Sequence, residues 1–72
     1  MTIVERIVSE GLAENGYAAK HIAEGLHLAQ LKTEEEQIER VKRYRVLRQA
    51  GFKSKEAYRL AIQGVSQMQS IV

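Results

Sequence analysis

The sequence predicts an all-α protein, a small bundle of about four short helices, and three observations carry that prediction. Apolar residues recur at spacings of three and four along most of the chain. Two Thr-x-x-Glu quartets, Thr2 to Glu5 and Thr33 to Glu36, have the form of a capping box. No proline interrupts the chain, and no stretch alternates apolar and polar residues as a half-buried strand does.

The first helix is expected at about 2–14. There the Thr2 hydroxyl and the Glu5 carboxylate each satisfy an orphan backbone N–H, and Ile3, Val4, Ile7, Val8 and Leu12 form one apolar stripe. Asn15-Gly16 supplies the stop, because both residues tolerate the left-handed conformation. A second helix is expected at about 17–32, with Tyr17, Ala18, Ile22, Leu26 and Ala29 as its stripe. Its small residues, among them Ala19, Ala23 and Gly25, suit close packing against a neighbour.

The third helix, at about 34–50, opens on Glu34-Glu35-Glu36, which the positive end of a helix dipole favours. It runs through Ile38, Val41, Tyr44 and Leu47 to a basic end, with Glu36–Arg40 and Glu39–Arg43 spaced for i,i+4 ion pairs. Nothing between Leu31 and Glu34 breaks a helix, so one continuous rod and two separate helices both fit; the Thr33 cap favours two. Gly51 is expected just past the helix end, with Phe52 folding back on Leu47 in a Schellman motif. The last helix, at about 55–69, is capped by Ser54 and turns Ala57, Leu60, Ala61, Val65 and Met68 inward. Gly64 weakens it by about 1 kcal/mol relative to Ala.

The 72 residues make one domain, 1–72, near the lower limit for a chain that folds alone. A core of this size leaves roughly 3–5 kcal/mol of net stability. Without cysteine there is no disulfide, so self-association is the remaining staple, and a homodimer is expected, helped by Val65, Met68, Ile71 and Val72. The first residues lack a secretory pattern, and no run approaches the roughly 20 apolar residues that span a bilayer. A cytoplasmic protein with no membrane partner is expected.

Charge is sorted by position. Eight of the nine acids lie in residues 1–39 against three cations, a net of −5, whereas 40–72 carry eight Lys or Arg and one Glu, a net of +7. Such asymmetry points to a polyanionic partner or to two charged faces that dock.

Residues 43–60 combine a basic helix, a glycine turn and a short second helix. Val46, Ala50 and Phe52 surround Gly51, and Ala57 and Leu60 follow on the inner side of the second helix. This run resembles the helix-turn-helix of bacterial and phage repressors, except that Leu47 stands four before the turn glycine, where the motif usually has Ala or Gly. The resemblance implies a DNA-binding transcription regulator. Lys53, Ser54, Lys55, Tyr58 and Arg59 would then face the nucleic acid, and Arg43, Arg45 and Arg48 would meet phosphates. The run from Leu47 through Gly51-Phe52 to Ala61 also looks loosely like the first loop of ubiquitin-associated domains. In general style the chain resembles small accessory proteins of bacteriophages.

The competing expectation is a protein-binding modulator or inhibitor, phage-encoded and acting on a host protein. It would use Tyr44 with Arg40 and Arg48, because Tyr and Arg are preferred interface anchors. Chemistry is poorly provided for. His21 and His27 are six apart, not the i,i+4 of a helical zinc pair, and there is no Asp, no Cys and no glycine-rich phosphate loop. The sequence reads as a binder and not an enzyme, with no cofactor, metal or small-molecule substrate.

Overall fold

The structure, a computed structural model, describes residues 2–63. Within them four helices follow one another, α1 (Ile3–Ser9), α2 (Gly16–Gly25), α3 (Glu34–Gln49) and α4 (Ser54–Gln63), with a 3₁₀ turn at Leu28–Gln30 between α2 and α3. The described residues contain no strand, so the all-α bundle is the fold. The expectations for Gly64, Val65, Met68, Ile71, Val72 and the end of the last helix lie outside the described residues.

Both capping boxes form. Glu5 N–H donates to Thr2 Oγ1 at 3.1 Å while Thr2 N–H donates to Glu5 Oε1 at 2.9 Å, and Thr33 and Glu36 repeat the exchange at 3.2 Å each way. The bond from the Thr2 backbone N–H holds the Glu5 carboxyl below its usual pKa.

The first two helices end earlier than their apolar stripes suggest. At Gly11, with φ +74°, the chain turns left-handed, and Leu12 N–H bonds the Ile7 carbonyl at 2.9 Å while Gly11 N–H bonds that of Val8 at 3.0 Å. That is a Schellman stop, so α1 is closed at Ser9 and not at Asn15. Asn15 has the opposite job. Its side chain accepts from Ala18 N–H at 2.9 Å and starts α2, a role Asn fills as readily as a stop.

A helix to Lys32, or one rod through α3, is likewise corrected. α2 stops at Gly25, and His27 stands left-handed at φ 54°, uncommon for a residue with a Cβ. Two α3 side chains satisfy carbonyls at this break: Arg40 donates to Leu26 O at 2.8 Å and Gln37 to Leu28 O at 2.9 Å. The change of phase turns Leu28 into the core and leaves Ala29 exposed, and Tyr17, in the first turn of α2, is exposed as well, contrary to the expected stripe.

α3 is the central element, packed on α1 and on α4, and α2 lies against α1. Ile38, Val41, Tyr44 and Leu47 are all buried on its inner face, as their spacing predicts, and meet Ile7 from α1 and Ala57 and Ala61 from α4. Ile7, Leu26, Leu28 and Val41 are fully buried, each contributing about 1.5–3 kcal/mol of apolar transfer. The Tyr58 ring stacks on Tyr44 with centroids 4.5 Å apart and planes 9° from parallel. Its other neighbour is Gly25, where a Cβ would sit 2.6 Å from Tyr58 Cζ. Only glycine leaves room for the ring.

Candidate nucleic-acid interface

The corner between α3 and α4 is built by one glycine. Gly51 has φ +104°, its N–H bonds Arg48 O at 3.0 Å, and Phe52 N–H bonds Leu47 O at 3.1 Å. These are the two bonds of a Schellman stop, and they fix Phe52 from its nitrogen side. The Arg48 guanidinium donates to the Phe52 carbonyl at 2.9 Å and fixes it from the other side. Ser54 is the first residue of α4 and not its cap, because Ala57 N–H already bonds the Lys53 carbonyl at 2.8 Å.

The apolar residues expected around the turn stand largely outside the core. Val46 is 59% exposed, Phe52 is 40% exposed, and Ala50 is exposed as well, while Leu47 takes the inward position. Ala57 is buried and Leu60 half-buried, in keeping with the expected inner face of α4. Phe52 is not among the apolar residues packed on the core, although its backbone makes the bond to Leu47 O that the stop requires.

Of the residues expected to meet nucleic acid, Lys53, Ser54, Lys55, Arg59 and Arg48 are exposed at this corner. Gly51, Phe52, Lys53, Lys55, Glu56 and Arg59 line an open depression of about 690 Å³. Glu56 is the acid of that lining, and it pairs with Arg59. Tyr58 is corrected: its ring faces the interior between Tyr44 and Gly25, and burial, with the Tyr44 hydroxyl adding to it, pushes its phenol up to about 12.

The arginines of α3 have work within the fold. Arg40 bonds Leu26 O, Arg43 bonds Ala61 O at 3.3 Å, and Arg45 bonds Gly11 O at 3.2 Å; all three are half-buried. Arg40, Arg45 and Arg48 each hold a carbonyl just past the end of a helix, where the negative end of the dipole favours a cation, and Arg43 ties α3 to α4. The expected pairs Glu36–Arg40 and Glu39–Arg43 are not formed among the described residues, because these guanidiniums turn to carbonyls instead. Burial first, and Arg43 second, pull the Arg40 pKa down. Sequence reasoning missed this set, since the partners of Arg40, Arg43 and Arg45 lie far away along the chain.

The ion pairs that do form join other residues: Arg6 bridges Glu10 and Glu34, at 2.7 Å each. The rival anchor, Tyr44, is 8% exposed and belongs to the core. His21 sits edge-on to the exposed Tyr17 ring with centroids 4.6 Å apart, and no three His, Cys, Asp or Glu side chains among the described residues converge as a metal site. No helix among them is long and apolar enough to cross a membrane. Comparison with known proteins finds no family model, no curated protein and no solved structure that matches this chain.

Proposed function

We propose that the chain is a small, non-enzymatic regulatory protein that contacts DNA through the α3–Gly51–α4 corner, as a homodimer. The observation that carries this reading is the corner itself, where Arg48, Lys53, Lys55 and Arg59 stand exposed around a rigid turn with Glu56 as the nearby acid. Arg48 uses one guanidinium donor on the Phe52 carbonyl and keeps others for a phosphate. Arg43 and Arg45 enter the reading only as supports of the fold.

A polyanion neutralised by these four side chains releases condensed counterions. Affinity for a duplex should therefore fall with salt at a log–log slope of about −3 to −4 per subunit. Fluorescence anisotropy across a salt series measures that slope, and Lys55→Ala flattens it by about one unit on every sequence. Absence of duplex binding even at low salt sinks the proposal.

One observation favours the second reading, a protein partner. Val46 and Ala50 form an exposed apolar strip on α3 next to the cations, which suits an acidic, apolar surface of another protein. That version replaces Tyr44 by Val46 as its anchor and predicts that Val46→Asp abolishes capture of the partner.

A further inference from the structure

We infer that Phe52 is a stacking platform for an unpaired base, so that the nucleic acid held at this corner is single-stranded or locally opened. The inference rests on the DNA-contact reading and deepens it. It begins from a ring that the fold does not use. Phe52 is 40% exposed and stands outside the core, although it follows a Schellman stop whose next residue commonly packs back on the helix.

Its backbone is nevertheless fixed at both ends, by the N–H bond to Leu47 O at 3.1 Å and by the Arg48 bond to its carbonyl at 2.9 Å. The ring is thus presented from a rigid turn and loses little freedom on meeting a flat ligand. Beside it lies the open depression that Gly51 and Phe52 both line. The depression that Phe52 lines also holds Lys53, Lys55 and Arg59. An exposed aromatic with cations on its flanks matches the pattern by which single strands are held. Bases stack on the ring, and the backbone follows the positive groove without sequence reading.

The charge around the ring selects between occupants. An apolar protein segment would meet Phe52 but leave Lys53 and Lys55 to be desolvated, Arg59 being paired with Glu56, whereas a nucleotide chain brings one phosphate for each base. Within a closed duplex the bases are stacked on one another and offer no face. A ring on a short turn therefore gains its contact where a base is already unpaired or easily displaced.

The test uses the full chain with fluorescein-labelled oligothymidylate, the same strand with abasic positions, and a duplex of equal length, all read by anisotropy. Wild type is expected to bind the single strand about tenfold more tightly than the duplex or the abasic strand. Phe52→Ala should erase that preference while leaving the melting temperature unchanged. Phe52→Trp provides a second measurement, since a stacked base quenches its fluorescence. Equal binding of all three probes by wild type, or a Phe52→Ala protein that keeps the preference, overturns the inference but leaves DNA contact standing. Failure of every probe to bind at low salt overturns both, and capture of an acidic peptide in their place would assign the corner to a protein.

Discussion

At the scale of single residues, Tyr58 shows how a side chain that looks like surface becomes interior. Its ring lies between Tyr44 and the bare backbone of Gly25, in a space that no other residue at position 25 would leave. Burial raises the phenol from its ordinary 10.0 to about 12. A folded-state pKa above the unfolded one means that the stabilisation is complete below pH 10.0 and is lost as pH rises toward 12. Thermal melts followed by circular dichroism should therefore show an alkaline loss of stability across that window, and Tyr58→Phe should remove this part of it. Absorbance of tyrosinate offers an independent reading, because the Tyr58 phenol then titrates late. An alkaline profile identical in the two proteins would contradict the placement of the ring.

At the scale of elements, the corner depends on one dihedral angle. Gly51 has φ +104°, and nothing lies within 4 Å of an added Cβ, so a substitution there is opposed by backbone strain and not by a clash. Gly51→Val should cost more than about 1 kcal/mol, seen as a lower denaturation midpoint, because β-branched residues resist positive φ. An unchanged midpoint would mean that α3 and α4 do not need this turn. The turn was legible in the sequence, as were both capping boxes and the inner face of α3, because each is written within a few consecutive residues. The end of α2 was not. His27 is neither Gly nor Asn, and what favours its left-handed geometry includes Gln37 and Arg40 taking up the freed carbonyls from another helix. The end of α1 at Gly11 was legible in principle. It was hidden by an apolar stripe that continues to Leu12, the residue a Schellman stop folds back anyway. For the candidate site, the sequence indicated Lys53, Lys55 and Arg59, which need only exposure. It misplaced Tyr58 and Phe52, whose environments depend on Gly25 and on the direction of the turn.

For the whole molecule, size and charge decide what to expect. The described residues bury a short list of large side chains and fill much of the α4 contact with Ala57 and Ala61, so the core is thin for a chain that must fold alone. The outer stripe of α3 runs from Glu35 and Glu39 through Lys42 to the exposed Val46. Two copies laid antiparallel and crossing between Val46 and Ala50 would cover the apolar strip that each leaves exposed. Sedimentation at micromolar concentration should give about twice the 8.2 kDa monomer mass, and the melting temperature should rise with concentration. Val46→Asp is expected to return the monomer. A mass of one chain throughout, with a melt independent of concentration, would rule out the dimer.

The guanidinium-to-carbonyl bonds of α3 also govern how the surface can be mapped by mutation. Arg40, Arg43 and Arg45 each fasten a different stretch of chain to one helix, so truncating any of them moves architecture and surface charge together. A loss of binding in such a variant identifies a buttress as readily as a contact. Lys42, Lys53 and Lys55 make no side-chain hydrogen bond or ion pair within the described residues, and they are the positions where charge can be removed while the scaffold is left as it was. In this basic stretch the lysines are the informative residues for function, and the half-buried arginines are informative about folding.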